Sequence, residues 1–245
     1  MTQRIAIFGA TSAIAEAFAR RFAAEGARFY LVGRHPERLQ AVAADLRVRG
    51  AVEAVTVSAD FATADCRALC ADAASRLERI DVAMVAHGQL PDQSACEADA
   101  ALLHETFAVN LESHAQLLLG LAAILERQGS GTLVAIGSAA GDRGKKSNYI
   151  YGSAKAAIAV LQQGLMARLK DSGVHVLLVK PGFVDTPMTA HFKKGLLWIG
   201  PDRAAAAIAA AIASRQSTIY VPFFWRFIML GLRALPDRVF VRLGL

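Results

Sequence analysis

Arg4-Ile-Ala-Ile-Phe-Gly-Ala-Thr-Ser-Ala-Ile-Ala-Glu-Ala-Phe18 changes its apolar period part-way along. Arg4–Phe8 is a continuous apolar run of strand length. From Thr11 onward, Ile14, Phe18 and Phe22 recur four apart, the spacing of one helix face. Gly9 ends the strand, and Thr11-Ser12 open the helix. A helix N-terminus presents unpaired amides and a partial positive charge, which suits a phosphate group. The segment therefore predicts strand, turn and helix, with room for an anion at the joint.

The same alternation continues outward. Strands are expected over 28–32, 52–58, 82–86, 133–136, 174–179 and 218–221. Helices are expected over 36–49, 63–78, 96–110, 111–128, 149–170 and 201–214. Continuous apolar strands separated by helices imply a parallel sheet covered on both faces. Seven such strands fit an α/β, doubly wound Rossmann sheet in a single domain. That domain is expected over 1–222, with a lid at about 186–200 and an apolar, basic extension over 223–245.

Composition narrows the function classes. The chain has 245 residues, 54% hydrophobic and 20% charged, which excludes general disorder. Three cysteines make no disulfide framework and read as reduced, structural thiols. Its six histidines have no metal-ligand spacing, so no metal is expected. The longest apolar run, near 219–232, is interrupted by Pro222 and Arg226, which argues against a membrane span. The N-terminus enters a strand at once and predicts no leader. A cytoplasmic location is expected, peripheral to the inner face of the membrane if the extension touches lipid. The net charge of +6 lies wholly in residues 191–245, which hold eight Lys/Arg and two Asp/Glu, and no nucleic-acid partner is expected. Eight of the eighteen aromatics lie there too, concentrating apolar and cationic side chains in one segment.

Chemistry-bearing residues collect where strands end. After the second strand comes Gly33-Arg34. An acid at this point would bind both ribose hydroxyls of NAD; Arg34 instead offers a planar fork to a 2′-phosphate. NADP(H) is therefore expected over NAD(H). Asp60, with Phe61 beside it, could accept from an adenine amino group or cap the next helix. Of four tyrosines, only Tyr151 has a lysine four residues later, Lys155, one helical turn away on the same face. A nearby ammonium favours phenolate, so the pair predicts a lowered tyrosine pKa and a phenol able to exchange a proton near neutrality. Ser138 follows the fifth strand and can face the same crevice.

These residues resemble the short-chain dehydrogenase/reductase family over nearly the whole chain. The resemblance is carried by Gly9 with Ala13-Ile14-Ala15, Asp60, Asn110, Ser138, Tyr151, Lys155 and Pro181-Gly182. It implies that Tyr151 is the general acid for ketone reduction, and that Lys155 assists it and holds the nicotinamide ribose. It also implies that Ser138 bonds the substrate oxygen and that Asn110 holds a proton-relay water. Gly9, Thr11, Ser12, Ala13, Ile14, Arg34, Asp60, Phe61 and Gly88 would contact the cofactor with Tyr151 and Lys155. Pro181, Gly182, Val184 and Thr186 would do so at the carboxamide. The hydride chemistry belongs to the cofactor. Ala13 and Ala15 stand where the fingerprint has glycines, which predicts weakened or shifted cofactor contact. That loss also leaves a second reading, a catalytically weak NADP(H)-binding regulatory protein. The family's Asn-Asn-Ala-Gly reads Val85-Ala86-His87-Gly88, with His87 a packing substitution or a cofactor-side donor. A homodimer or homotetramer through 111–128 and 149–170 is implied as well.

The substrate side is read from charge and apolarity. Arg143, Lys145 and Lys146 precede Tyr151 and would attract an anionic substrate. Phe192, Leu196, Leu197 and Trp198 would make the lid apolar. The extension carries Arg226, Arg233, Arg238 and Arg242 among apolar residues. It would pack on the domain, on a sister subunit or on an anionic membrane surface. Residues 144–189 together with this tail are similar to the decaprenylphosphoryl keto-pentose reductase type of the family. That resemblance implies a carbonyl substrate, small or lipid-linked.

Overall fold

The computed structural model describes residues 2–243. In chain order, β1 (Arg4–Phe8), α1 (Ala13–Ala23), β2 (Arg28–Gly33), α2 (Pro36–Val48) and β3 (Glu53–Ser58) come first. Next are α3 (Cys66–Leu77), β4 (Val82–Val85), α4 (Gln93–Ala98), α5 (Ala100–Phe107), α6 (Ser113–Gln128) and β5 (Thr132–Ile136). Then follow α7 (Tyr149–Arg168), β6 (His175–Pro181), β7 (Phe183–Val184), β8 (Trp198–Ile199), α8 (Pro201–Ala213) and β9 (Thr218–Val221). The chain closes with α9 (Trp225–Ala234) and α10 (Asp237–Arg242).

Seven strands form one sheet in the order β3-β2-β1-β4-β5-β6-β9, every pairing parallel. This is the doubly wound sheet expected from the sequence. Strand periodicity divides its core. Ile5 and Ile7 of β1 face one way, against Phe18 of α1, Leu39 of α2 and Ile208 of α8. Ala6 and Phe8 face the other way, against Cys70 of α3, Leu121 of α6 and Ile158 of α7. Alternate residues thus serve opposite faces, and helices cover both. Cys66, Cys70 and Cys96 are buried thiols. The strand order reverses between β1 and β4, where an open α/β sheet leaves a crevice at the strands' carboxyl ends.

Three local features depart from expectation. The two helices expected over 96–110 and 111–128 are one continuous helix, Ala100–Gln128, with a π turn at Ala108–Glu112 where a break was expected. Asp99 starts it by accepting the amides of Ala101 and Leu102. No glycine or proline interrupts 107–113, so the chain widens one turn rather than breaking. By length and its mean hydropathy of 1.3 this helix could cross a bilayer, yet Leu117, Leu118, Leu121 and Leu125 are sealed against the sheet. Within the segment expected as a lid, Trp198–Ile199 forms β8, which pairs in parallel with β7 just before that segment. The extension is helical: Trp225 and Met229 of α9 bury against Ala139 in a small separate cluster. Its last two positions, 244 and 245, lie outside the described residues.

Candidate active site

A crevice of ~390 Å³ runs along the carboxyl ends of β1, β4, β5 and β6. At one end it is lined by Gly9, Thr11, Ser12, Ala13 and Ile14. Gly9 has φ +95°, and a Cβ there would lie 2.3 Å from the His87 amide nitrogen, so only glycine fits where β1 passes β4. Ser12 precedes α1 without capping it, and the amides of Ala13, Ile14 and Ala15 have no partner among the described residues. The two alanines at glycine places behave differently. Ala13 lines the crevice, whereas Ala15 turns its methyl into the helix–sheet core and is fully buried. Ala15 therefore puts no methyl where a ligand would lie, contrary to the sequence expectation. Arg34, Gly33, Asp60 and Phe61 line the same end. Asp60 accepts the Ala62 amide and does not cap α3; Asp65 does that.

The other end holds Ser138, Tyr151 and Lys155. β5 delivers Ser138, whose Oγ accepts the Ala140 amide at 3.1 Å. Tyr151 stands half-buried in the first turn of α7, and Lys155 lies buried one turn on. Lys155 Nζ donates to the Ile136 carbonyl at 3.4 Å and sits 5.7 Å from the centroid of the Tyr151 ring. Burial pushes the Tyr151 phenol up to about 12, with the Ser138 hydrogen bond acting against that rise. Burial lowers the Lys155 ammonium to about 7. The expected lowering of the tyrosine is thus overturned. The cation lies over the ring face rather than at the hydroxyl, and removal from water dominates both groups.

Gly88 and His87 line the crevice behind this pair, and Asn110 lies fully buried beside them, outside the lining. A Cβ at Gly88 would lie 3.0 Å from Asn110 Oδ1 and 3.6 Å from Lys155 Nζ, so the three converge. Asn110 sits in the π turn. Its Nδ2 donates to the carbonyls of Gln89 and Thr106, and its Oδ1 accepts the Gln89 amide. These bonds occupy the side chain in bracing the β4–α4 loop, and Asn110 itself does not line the crevice, so the expected water-holding role finds no free side-chain group. His87 stacks on Phe61 with centroids 3.9 Å apart and pairs its Nε2 with Ser113 Oγ at 2.8 Å. Its backbone carbonyl meets His114 Nε2 at 2.8 Å. Burial, helped by the Lys155 charge, lowers His87 to about 3 and His114 well below the usual imidazole value. Of the two readings of His87, packing is the one its contacts fit.

Pro181, Gly182, Val184 and Thr186 line the crevice beside Met188 and Phe192. The four substrate expectations fare differently. Lys145 lines the crevice; Lys146 is exposed outside it. Arg143 turns away. Its guanidinium donates to the carbonyls of Leu232 and Leu235 at 2.6 Å, pairs with Asp237, and lies 4.1 Å from the Phe240 ring centroid. It fastens the tail and does not line the crevice. Trp198 stacks behind Phe183 at 5.0 Å and does not reach the lining. Trp225 takes that wall instead, 4% exposed, with its indole Nε1 unpaired. A Cβ at Gly182 would come within 2.2 Å of that nitrogen, so this glycine is what admits the indole. Sequence reasoning missed Trp225 and also Arg38, a second cation at the nucleotide end. Arg38 follows Arg34 by four residues across a helix start, a spacing that could have exposed it.

The donor set fits a dinucleotide. Unpaired amides stand at one joint, cations Arg34 and Arg38 at the outer end, and polar groups with a buried lysine at the inner end.

The family model described as short chain dehydrogenase matches residues 3–196. An uncharacterized oxidoreductase of Mycobacterium tuberculosis is 37% identical over 244 residues, covering 98% of this chain and 96% of that protein. One from Streptomyces coelicolor is 35% identical over 241 residues, covering 97% and 94%. A solved structure described as a short chain dehydrogenase/reductase family protein superposes with a TM-score of 0.77. It shares 27% identity and covers 89% of this chain and 95% of its own.

Proposed function

This chain belongs to the short-chain dehydrogenase/reductase family, and from that premise we propose that it is an NADP(H)-dependent oxidoreductase that interconverts a ketone and its alcohol. The observation that carries the proposal is Ser138, Tyr151 and Lys155 gathered at the inner end of one crevice whose outer end holds two arginines. When bound, the dinucleotide supplies or removes the hydride at the carbonyl carbon. The protein's own part is orientation and the proton. The Ser138 and Tyr151 hydroxyls can grip a carbonyl oxygen from one side. A Tyr151 phenol held at about 12 stays protonated at neutral pH and can give its proton to that oxygen. Lys155, lowered to about 7, exchanges its own proton in the working range and stands one turn from the phenol. Thr11, Ser12 and the free amides of α1 would hold the phosphates, and Gly88, Pro181, Val184 and Thr186 the nicotinamide side. Trp225, Met188 and Phe192 line the substrate end with Lys145 among them, which suits a carbonyl compound with a sizeable apolar part and an anionic group. Self-association through the outer faces of α6 and α7, and a cytoplasmic location, belong to the same reading.

Two measurements test it. Tyr151→Phe should abolish NADPH oxidation across a ketone panel while NADPH still binds; retained turnover would defeat the acid role. Arg34→Ala should weaken NADPH about 10–100-fold, the worth of one charge-assisted phosphate contact, and NADH less than about threefold. Equal losses would mean that the arginine does not read the 2′-phosphate.

A further inference from the structure

α9 is apolar on two opposite sides. Trp225 and Met229 are buried on the crevice side. Half a turn round the helix, Phe227 and Leu230 are 63% and 65% exposed, and Phe223, in the turn just before it, is 74% exposed. Arg226 and Arg233 run along one flank between the two stripes. A surface helix ordinarily has one apolar stripe and a polar outer face. Here the outer face is apolar, and the charges beside it have one sign. α10 extends the pattern with exposed Val241 and cationic Arg242. Beyond Asp202 the described chain holds a single acid, Asp237, and Arg143 binds it.

We propose that the outer face of α9 and α10 seats this protein on an anionic phospholipid bilayer. Charge decides between occupants. Isologous contact with a second copy would set the same arginines against themselves, with no free acid to offset them. A bilayer rich in phosphatidylglycerol offers hydrocarbon to Phe227 and Leu230 and phosphates to Arg226 and Arg233. Ten residues of helix span about 15 Å, half a hydrocarbon core, so α9 lies in the interface and does not cross it. The seat does not depend on which carbonyl the crevice takes, or on the crevice being catalytic.

Flotation of the full chain tests it, using vesicles of phosphatidylcholine alone or mixed with phosphatidylglycerol. The wild type should float with the mixed vesicles, and raised salt should release it. Phe227→Ser with Leu230→Ser, and separately Arg226→Glu with Arg233→Glu, should each cut the partition about tenfold or more. Circular dichroism confirms that each variant is folded, and none of these four side chains is in the core. The proposal falls if the wild type sinks with both vesicle types, or if the variants float as well as it does. It also falls if sedimentation finds a wild-type dimer that Phe227→Ser with Leu230→Ser splits, because a second copy then covers the face. No cofactor or substrate enters the assay, so this failure is distinct from failure of the reductase reading.

Discussion

Tyr151 and Lys155 carry opposite consequences of one cause. Removal from water disfavours whichever form is charged, so the phenol rises to about 12 and the ammonium falls to about 7. The four-residue spacing that places them together was legible in the sequence. Their charge balance was not, because the walls that dry them come from β4, the π turn and β5, far away in the chain. His87 and His114 obey the same rule. An unfolded imidazole protonates near pH 6.5; in the folded chain His87 waits until about 3, and His114 is also far lowered. Between those limits the unfolded chain binds more protons, so the histidines' contribution to stability is complete above about pH 6.5 and is lost as pH drops. Each histidine contributes a slope of about 1.4 kcal/mol per pH unit. Lys155 adds nothing to this window, since its own penalty develops between its unfolded value and about 7 and is constant below. Replacing His87 by Asn should remove about one proton from the acid slope in urea unfolding followed from about pH 7.5 to about pH 4.5. An unchanged slope would mean that the imidazole is already charged in the folded protein.

Elements were easier to read than their partners. The seven strands could be placed within two residues because each is a short, largely apolar run bounded by polar or glycine positions. The continuous helix over 100–128 was not seen as one, because its π turn is set by Asn110 bonds to Gln89 and Thr106. The basic loop before α7 was read by charge alone, which pointed Arg143 at a ligand. Its true partners lie about ninety residues later, in a tail whose helices no local signal linked to this loop. Arg143 thereby acts as a latch between loop and tail, filling three carbonyls and one carboxylate from a single planar fork. Arg143→Ala should speed hydrogen exchange in α9 and α10 about 10–100-fold, corresponding to a loss of about 1–3 kcal/mol of docking. Arg143→Lys should not restore protection, because an ammonium cannot meet that fork's geometry. Exchange confined to wild-type rates in both variants would show that apolar packing alone holds the tail.

The whole molecule is a sheet between two large apolar clusters, with a small third cluster beside the crevice. The first two share β1 through β6 and so are mechanically joined. The third contains only Ala139, Trp225 and Met229 as buried members and touches the sheet at its edge. Stability should therefore be uneven, with the tail opening at lower free energy than the sheet. Leu121, fully buried in the second cluster, tests the strong part. Leu121→Ala should cost about 2–5 kcal/mol, which in a chain of this length lowers Tm by roughly 10 °C. Met229 is equally buried, but it ties only the tail. Met229→Ala should leave the main transition within about 2 °C of wild type. Its effect should appear instead as a red shift of Trp225 emission, as the wall of the crevice loosens and water reaches the indole. Should Met229→Ala lower the main transition as far as Leu121→Ala does, the tail belongs to the same cooperative unit as the sheet. The crevice wall would then open only when the whole domain unfolds.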